Sequence, residues 1–243
     1  MEENKQIQTN TYAKQLLITS WRFYLIIAVP LLLTLFSVRI LMFPAFVQLE
    51  YSRPGFPDDI YGFTQEERTE YALYTAKYLF NDRGIEYLGD LLSANGHPLY
   101  SDGELKHMED VKALTGMVFG ILPLYALTVI IVLVLLWRGE QTKSHIHRAL
   151  SNGSILTLSI IGAIVISMTV AWDTLFTTFH QLFFDSGTWR FAYSDTLIRL
   201  FPEQLWVDAA LTVGIFTSIG ATTMLILLRF YVNKKQQNSQ MVN

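Results

Sequence analysis

Four predominantly apolar runs, at residues 23–43, 113–137, 153–172 and 209–228, constrain this chain more than any other feature. Each approaches the roughly 20 residues that a helix needs to cross the hydrocarbon core of a bilayer. Inside that core the backbone must satisfy its own hydrogen bonds, which leaves the helix as the form such runs can take. The predicted fold class is therefore all-α, a membrane protein of four transmembrane helices. Composition agrees, with 51% apolar and only 16% charged residues, against about 25% charged in an average soluble domain. The first run is too long for a cleaved signal peptide, and no small-residue cleavage site follows it, so it reads as a retained span. Pro30 and Pro123 fall inside two spans, where neighbouring helices can compensate for them. Gly116 and Gly120 form a GxxxG, read as close helix packing.

Loop charge predicts the topology. Segments 1–22, 138–148 and 229–243 hold nine Lys/Arg and three acids in 48 residues, whereas 44–112 and 172–208 hold eight Lys/Arg and eighteen acids in 106. The denser basic segments belong in the cytoplasm. This places the N-terminus (1–22), the loop 138–152 and the tail 229–243 inside, and the segments 44–112 and 173–208 outside. The polar tail from residue 233 is expected to fray. The outer segment 44–112 is long enough for a helical extracytoplasmic subdomain. In it, Ser52 to Pro57 reads as a turn, and Thr64-Gln65-Glu66-Glu67 is a capping box opening a helix with Tyr71, Tyr74 and Tyr78. A short apolar helix over 85–92 and a turn at Asn95-Gly96-His97-Pro98 follow. A second capping box, Ser101-Asp102-Gly103-Glu104, has no breaker between it and the second span, so one helix is predicted over about 103–137.

Several functions are excluded or left without a motif. A net charge of −3 offers no basic excess for nucleic acid. With no cysteine there is no disulfide framework and no thioester intermediate on this chain. No HExxH, GxSxG, GxxxxGK[ST] or GxGxxG is present. His145 and His147, in a basic loop, read as lipid-facing rather than as a metal pair, and His97 as a turn residue. His107 has Glu104 three residues before it and Asp110 three after, spacings that bring side chains toward one helix face. A carboxylate beside an imidazole fixes its tautomer and raises its basicity, as a general base requires; mixed local ion pairs at a helix end are the plainer account. His180 shares a face with Asp173 on a continuous helix, among Phe176, Phe179, Phe183, Phe184, Trp189 and Phe191. Such an aromatic belt ordinarily anchors a protein at the interface, but ionisable groups at that depth usually face the bundle interior. Arg39, a turn inside the first span, either snorkels to the headgroups or enters a pocket with Asp173 or a lipid oxygen. The histidine spacing matches no familiar zinc pattern, so neither metal nor cofactor is expected.

The segment Glu104-Leu105-Lys106-His107-Met108-Glu109-Asp110-Val111-Lys112 and the aromatic run from Asp173 to Phe184 together resemble the Lit-type bacterial lipoprotein intramolecular transacylases. The second outer loop, with Trp189, Asp195, Phe201 and Pro202, looks similar too, and the likeness covers most of the chain. The resemblance implies a multi-pass enzyme of the bacterial cell membrane, working among membrane lipids at its outer interface. Such an enzyme moves the sn-2 acyl chain of a diacylated lipoprotein onto the α-amine of its own N-terminal cysteine. The family's two prominent histidines map onto His107 and His180. On that footing His107, oriented by Glu104 or Asp110, is the base and His180 the oxyanion donor, or the reverse; Lys112, Arg39 and Trp189 contact lipid or carbonyl groups. Two rival readings are a non-enzymatic scaffold that docks through the outer loop and a metal-dependent lipid hydrolase using the same histidines.

Overall fold

The structure is a computed structural model that describes residues 1–139 and 142–241, except for the side chains at 3–5, 7, 10, 235, 236 and 238–241. The chain forms α1 (Glu2–Leu41), α2 (Pro44–Ser52), α3 (Gln65–Tyr78), α4 (Glu86–Gly89), α5 (Asp102–Trp137), α6 (Lys143–Phe183), α7 (Thr196–Leu200) and α8 (Glu203–Met241). Among the described residues there is no strand, only an isolated bridge between Leu92 and Pro98. Four helices hold apolar stretches long enough to cross a bilayer: Thr11–Leu41, Asp102–Trp137, Lys143–Phe183 and Glu203–Lys234. Their outward side chains are apolar, with Leu124, Ile166, Val170 and Leu227 all more than half exposed. Helices of that length with so much apolar surface turned outward make a multi-pass membrane protein.

The helices outrun the apolar runs. Helix α1 begins at Glu2 rather than near residue 23, α6 begins at Lys143 within the expected loop, and α8 continues through Met241. Residues 242 and 243 of the expected fraying tail lie outside the described residues. Propagating an established helix through Lys, Gln and Glu costs far less than nucleating one, so the helix does not stop at the polarity boundary. Helix α6 also passes the expected end of its span, through a kink at Ala171 (φ −150°, ψ 52°). The helix expected over 85–92 shrinks to Glu86–Gly89, because Leu99 N–H donates to the Leu91 carbonyl (2.9 Å) and the chain turns back there.

The chain divides into two compact units, described separately. One comprises residues 1–37, 122–164 and 214–243. Its core gathers Leu25, Ala28, Val129, Leu136, Ile146 and Ala149. Helices approach closely where glycine allows: a Cβ on Gly153 would lie 2.8 Å from Val29 Cβ and 3.0 Å from the Ile26 carbonyl oxygen. That carbonyl is the one Pro30 cannot serve, having no N–H to donate. Buried hydroxyls are satisfied internally, Thr217 donating to Ser37 (3.1 Å) and Ser37 to the Leu33 carbonyl (2.8 Å). His147 Nε2 meets the Leu228 carbonyl at 2.9 Å.

The other unit comprises Val38–Ile121 and Val165–Val213. Its core includes Val47, Tyr51, Phe56, Ala72, Tyr78, Leu88, Tyr100, Met108, Leu197 and Leu200. Helix α3 starts at the predicted capping box, with Thr64 and Glu67 each serving the other's backbone N–H. Helix α7 is short yet pinned at both ends. Its first turn gives the Leu197 N–H to Glu104 (2.7 Å). At its last turn, Arg68 Nε donates to the Arg199 carbonyl and the Tyr51 hydroxyl to the Leu200 carbonyl, both at 2.7 Å. A carboxylate at its N-terminus and a guanidinium at its C-terminus match the polarity of a helix. A Cβ added at Gly116 or Gly120 would meet nothing within 4 Å, so the GxxxG expected to pack helices faces away from the rest of this unit.

Candidate active site

Helix α5 enters through the Ser101–Glu104 box, Ser101 N–H donating to Glu104 Oε2 at 2.8 Å and Ser101 Oγ to the same oxygen at 2.9 Å. One turn further along stands His107. The segment after the Ala171 kink carries His180 toward its end. The two imidazoles meet, their ring centroids 6.2 Å apart at an interplanar angle of 29°. Aromatic rings surround the pair. Phe184 and Phe191 lie 4.9 and 5.6 Å from His107. Phe176 and Trp189 lie 4.0 and 4.8 Å from His180, with Phe179 at 5.4 Å.

His180 Nδ1 lies 2.8 Å from the Phe176 carbonyl oxygen. An oxygen that can only accept requires N–H at Nδ1, which leaves the Nε2 lone pair of the neutral ring available to a proton. His107 Nδ1 is buried and makes no hydrogen bond among the described residues, and the same holds for Trp189 Nε1. Two polar nitrogens without partners leave the nest two donor or acceptor positions that a bound group could satisfy.

The carboxylates expected to orient His107 are engaged elsewhere. Glu104 is 2% exposed, and its two oxygens serve Ser101 and Leu197. Asp110 pairs with Lys106 at 2.9 Å, while its charge also acts on the His107 ring. Asp173 is exposed, so sharing a helix face with His180 does not bring it into the nest. Arg39 is held by rings rather than by Asp173: its guanidinium lies 4.5, 5.0 and 5.7 Å from the centroids of Phe80, Phe43 and Phe119. Lys112 sits 4.0 Å over Tyr78 and donates to Asn81 Oδ1 (3.0 Å) and the Arg83 carbonyl (2.6 Å). Of the residues singled out in the sequence, His107, His180 and Trp189 come together, while Glu104, Asp110, Lys112, Asp173 and Arg39 do not join them. Among the described residues, no three His, Asp or Glu side chains gather as a metal site would need.

The scaffold around the nest depends on contacts that sequence reasoning missed. Arg199 bridges Asp59 through Nε (3.1 Å) and Nη2 (2.9 Å). Burial alone would push the Asp59 carboxyl up, but the bonds from Arg199 and the Phe63 N–H outweigh it and hold it below the usual carboxylate range. Burial pushes Glu50 up despite Arg53 beside it, and burial likewise pushes the Tyr51 hydroxyl up. No local signal marks the Asp59–Arg199 pair, because its partners lie 140 residues apart along the chain.

The chain is thus a helical, multi-pass membrane protein with two imidazoles inside an aromatic nest, groups able to give and take protons. The profile of the family described as lipoprotein intramolecular transacylase Lit matches residues 23–206, and the chain belongs to that family. The enzyme is thus a lipoprotein intramolecular transacylase. An uncharacterised protein of Aquifex aeolicus is 32% identical over 220 residues, spanning 87% of this chain and 93% of its own. The fold is also that of the membrane-integral lipoprotein intramolecular transacylase Lit from Bacillus cereus. One structure of it, a histidine-to-arginine variant, is 20% identical with a TM-score of 0.73 and covers 95% of this chain and 99% of its own. Another is 23% identical with a TM-score of 0.68, covering 91% and 97%.

Proposed function

We propose that His107 and His180 carry the transfer of the sn-2 acyl chain of a diacylglyceryl-cysteine lipoprotein to the α-amine of that same cysteine. The observation that carries this reading is the pair of imidazoles 6.2 Å apart within one aromatic nest. In the reaction the amine nitrogen attacks the ester carbonyl, the new N–C bond forms, and the bond from the acyl carbon to the glycerol oxygen breaks. The proton leaving the amine ends on that oxygen. An α-amine titrates at about 7.7–8.0, so a good share of it is neutral at physiological pH, and a neutral imidazole with a free ring lone pair accepts its proton as attack proceeds. Donor and acceptor belong to one substrate, so the enzyme needs to position and polarise rather than supply a nucleophile. The Phe176 carbonyl favours His180 Nε2 as the base and later as the acid to the leaving alkoxide. His107 then donates to the developing oxyanion, the reverse of the assignment suggested by the neighbouring carboxylates.

The acyl chains of such a substrate lie in the bilayer and its peptide lies outside. The acidic character of 44–112 and 173–208 supports placing the nest at the outer membrane interface, with both termini cytoplasmic. The test is mass spectrometry of lipoprotein N-termini from a host without other N-acylation. Wild type should yield the lyso-form. His180→Ala should lower its formation about 10²–10⁴-fold and His107→Ala about 10²–10³-fold, with each variant present in the membrane. Unchanged lyso-form in either variant would remove that histidine from the mechanism.

A further inference from the structure

From residue 181 to 195 the chain is exposed or half-exposed at every position but one. The exception is Trp189, 7% exposed, in the same segment as Tyr193 at 76%. The segment is built to turn this one side chain inward. Gly187, at φ +90°, makes the reversal that a residue with a Cβ adopts only with strain. Thr188 Oγ1 donates to the Asp185 carbonyl at 2.9 Å on one side of the indole. On the other side the Ala192 N–H donates to Asp195 Oδ2 at 2.7 Å, and the anchored first turn of α7 follows. The indole lies 4.8 Å from His180 at an angle of 30°, the Arg190 guanidinium is 5.0 Å from its ring centroid, and its N–H has no hydrogen-bond partner among the described residues. Phe191, from the same segment, lies against His107.

We infer that Trp189, with Phe191, sets the choice of acyl acceptor by keeping water from the two imidazoles, so that the amine and not water receives the chain. The inference rests on the transacylase reading above. A base that takes a proton from an amine takes one equally well from water, and part of the amine is protonated near neutral pH while water always competes. Neither imidazole distinguishes the two nucleophiles; the wall around them does. The two outcomes differ in their atoms. Attack by the amine forms N–C, breaks the ester C–O and isomerises the lipopeptide without change of mass. Attack by water forms a fatty acid, returns the proton to the glycerol oxygen and leaves the amine free, so the lipopeptide loses one acyl group.

The experiment uses purified full-length enzyme in lipid nanodiscs with a synthetic diacylated lipopeptide in ¹⁸O-water, read by tandem mass spectrometry. Wild type should give the isomer and essentially no ¹⁸O-labelled fatty acid. Trp189→Ala should raise the ratio of labelled fatty acid to isomer roughly tenfold or more, equivalent to about 1.4 kcal/mol in the competition. Trp189→Phe, which keeps a ring and removes the N–H, should stay near wild type. Where Trp189→Ala does not accumulate, Phe191→Ala is read in the same way. A slower Trp189→Ala with no labelled acid overturns the inference, as does a Trp189→Phe that hydrolyses as much as the alanine variant. Wild type that forms no isomer fails the transacylase reading itself, a result distinct from both.

Discussion

A buried carboxylate one turn before an imidazole can act by touching the ring or by holding what surrounds it. Glu104 does the second. Its oxygens cap the first turn of α5 through Ser101 and the first turn of α7 through the Leu197 N–H, and so it fixes the end of the segment that carries Trp189 and Phe191. Glu104→Ala removes a cap and leaves a buried N–H without an acceptor; unfolding in detergent should show a loss of about 2–4 kcal/mol. Glu104→Gln discriminates between the two modes. If the carboxylate oriented His107 and raised its basicity, the limbs of the pH–rate profile would move; they are expected to stay in place while the overall rate falls. The spacing from Glu104 to His107 was legible in the sequence, but the competing donor at Leu197 was not. Leu197 lies far along the chain, and a carboxylate's choice among several donors depends on which of them the fold desolvates beside it.

Among the elements, the glycines separate pattern from contact. GxxxG at Gly116 and Gly120 was the motif that looked like packing, yet a Cβ at either position meets open space, whereas Gly153, in no motif, has Val29 and the Ile26 carbonyl against it. Gly116→Ala and Gly120→Ala should each be neutral or stabilise by about 0.5–1 kcal/mol through helix propensity. Gly153→Ala should destabilise by about 1–3 kcal/mol, the usual range for overpacking. Thermal unfolding of the three variants in one detergent checks the order, and a stabilised Gly153→Ala would show that α6 does not make this approach. Both capping boxes were legible because their partners are three residues apart. The length of α4 and the kink at Ala171 were not. The first depends on where the chain turns back to pair Leu91 with Leu99, the second on a backbone torsion at an alanine that no local motif marks.

For the whole molecule, charge asymmetry across the loops predicts that both termini face the cytoplasm. Green fluorescent protein fused after Asn243 should fluoresce and alkaline phosphatase fused there should be inactive, while alkaline phosphatase inserted near Gly96, in an exposed turn, should be active. The opposite pattern would place the nest on the cytoplasmic side. The sequence by itself determined that four helices span a membrane, where two of the helices begin, and which two histidines are candidates for the site. Those properties come from the cost of burying polar backbone in hydrocarbon and from partners a turn apart, both local to a stretch of chain. Tertiary structure alone decided that His107 and His180 meet, that Glu104 serves α7 rather than His107, and that Trp189 turns inward. These depend on long-range packing, in which a polar atom takes whichever partner the fold leaves beside it away from water.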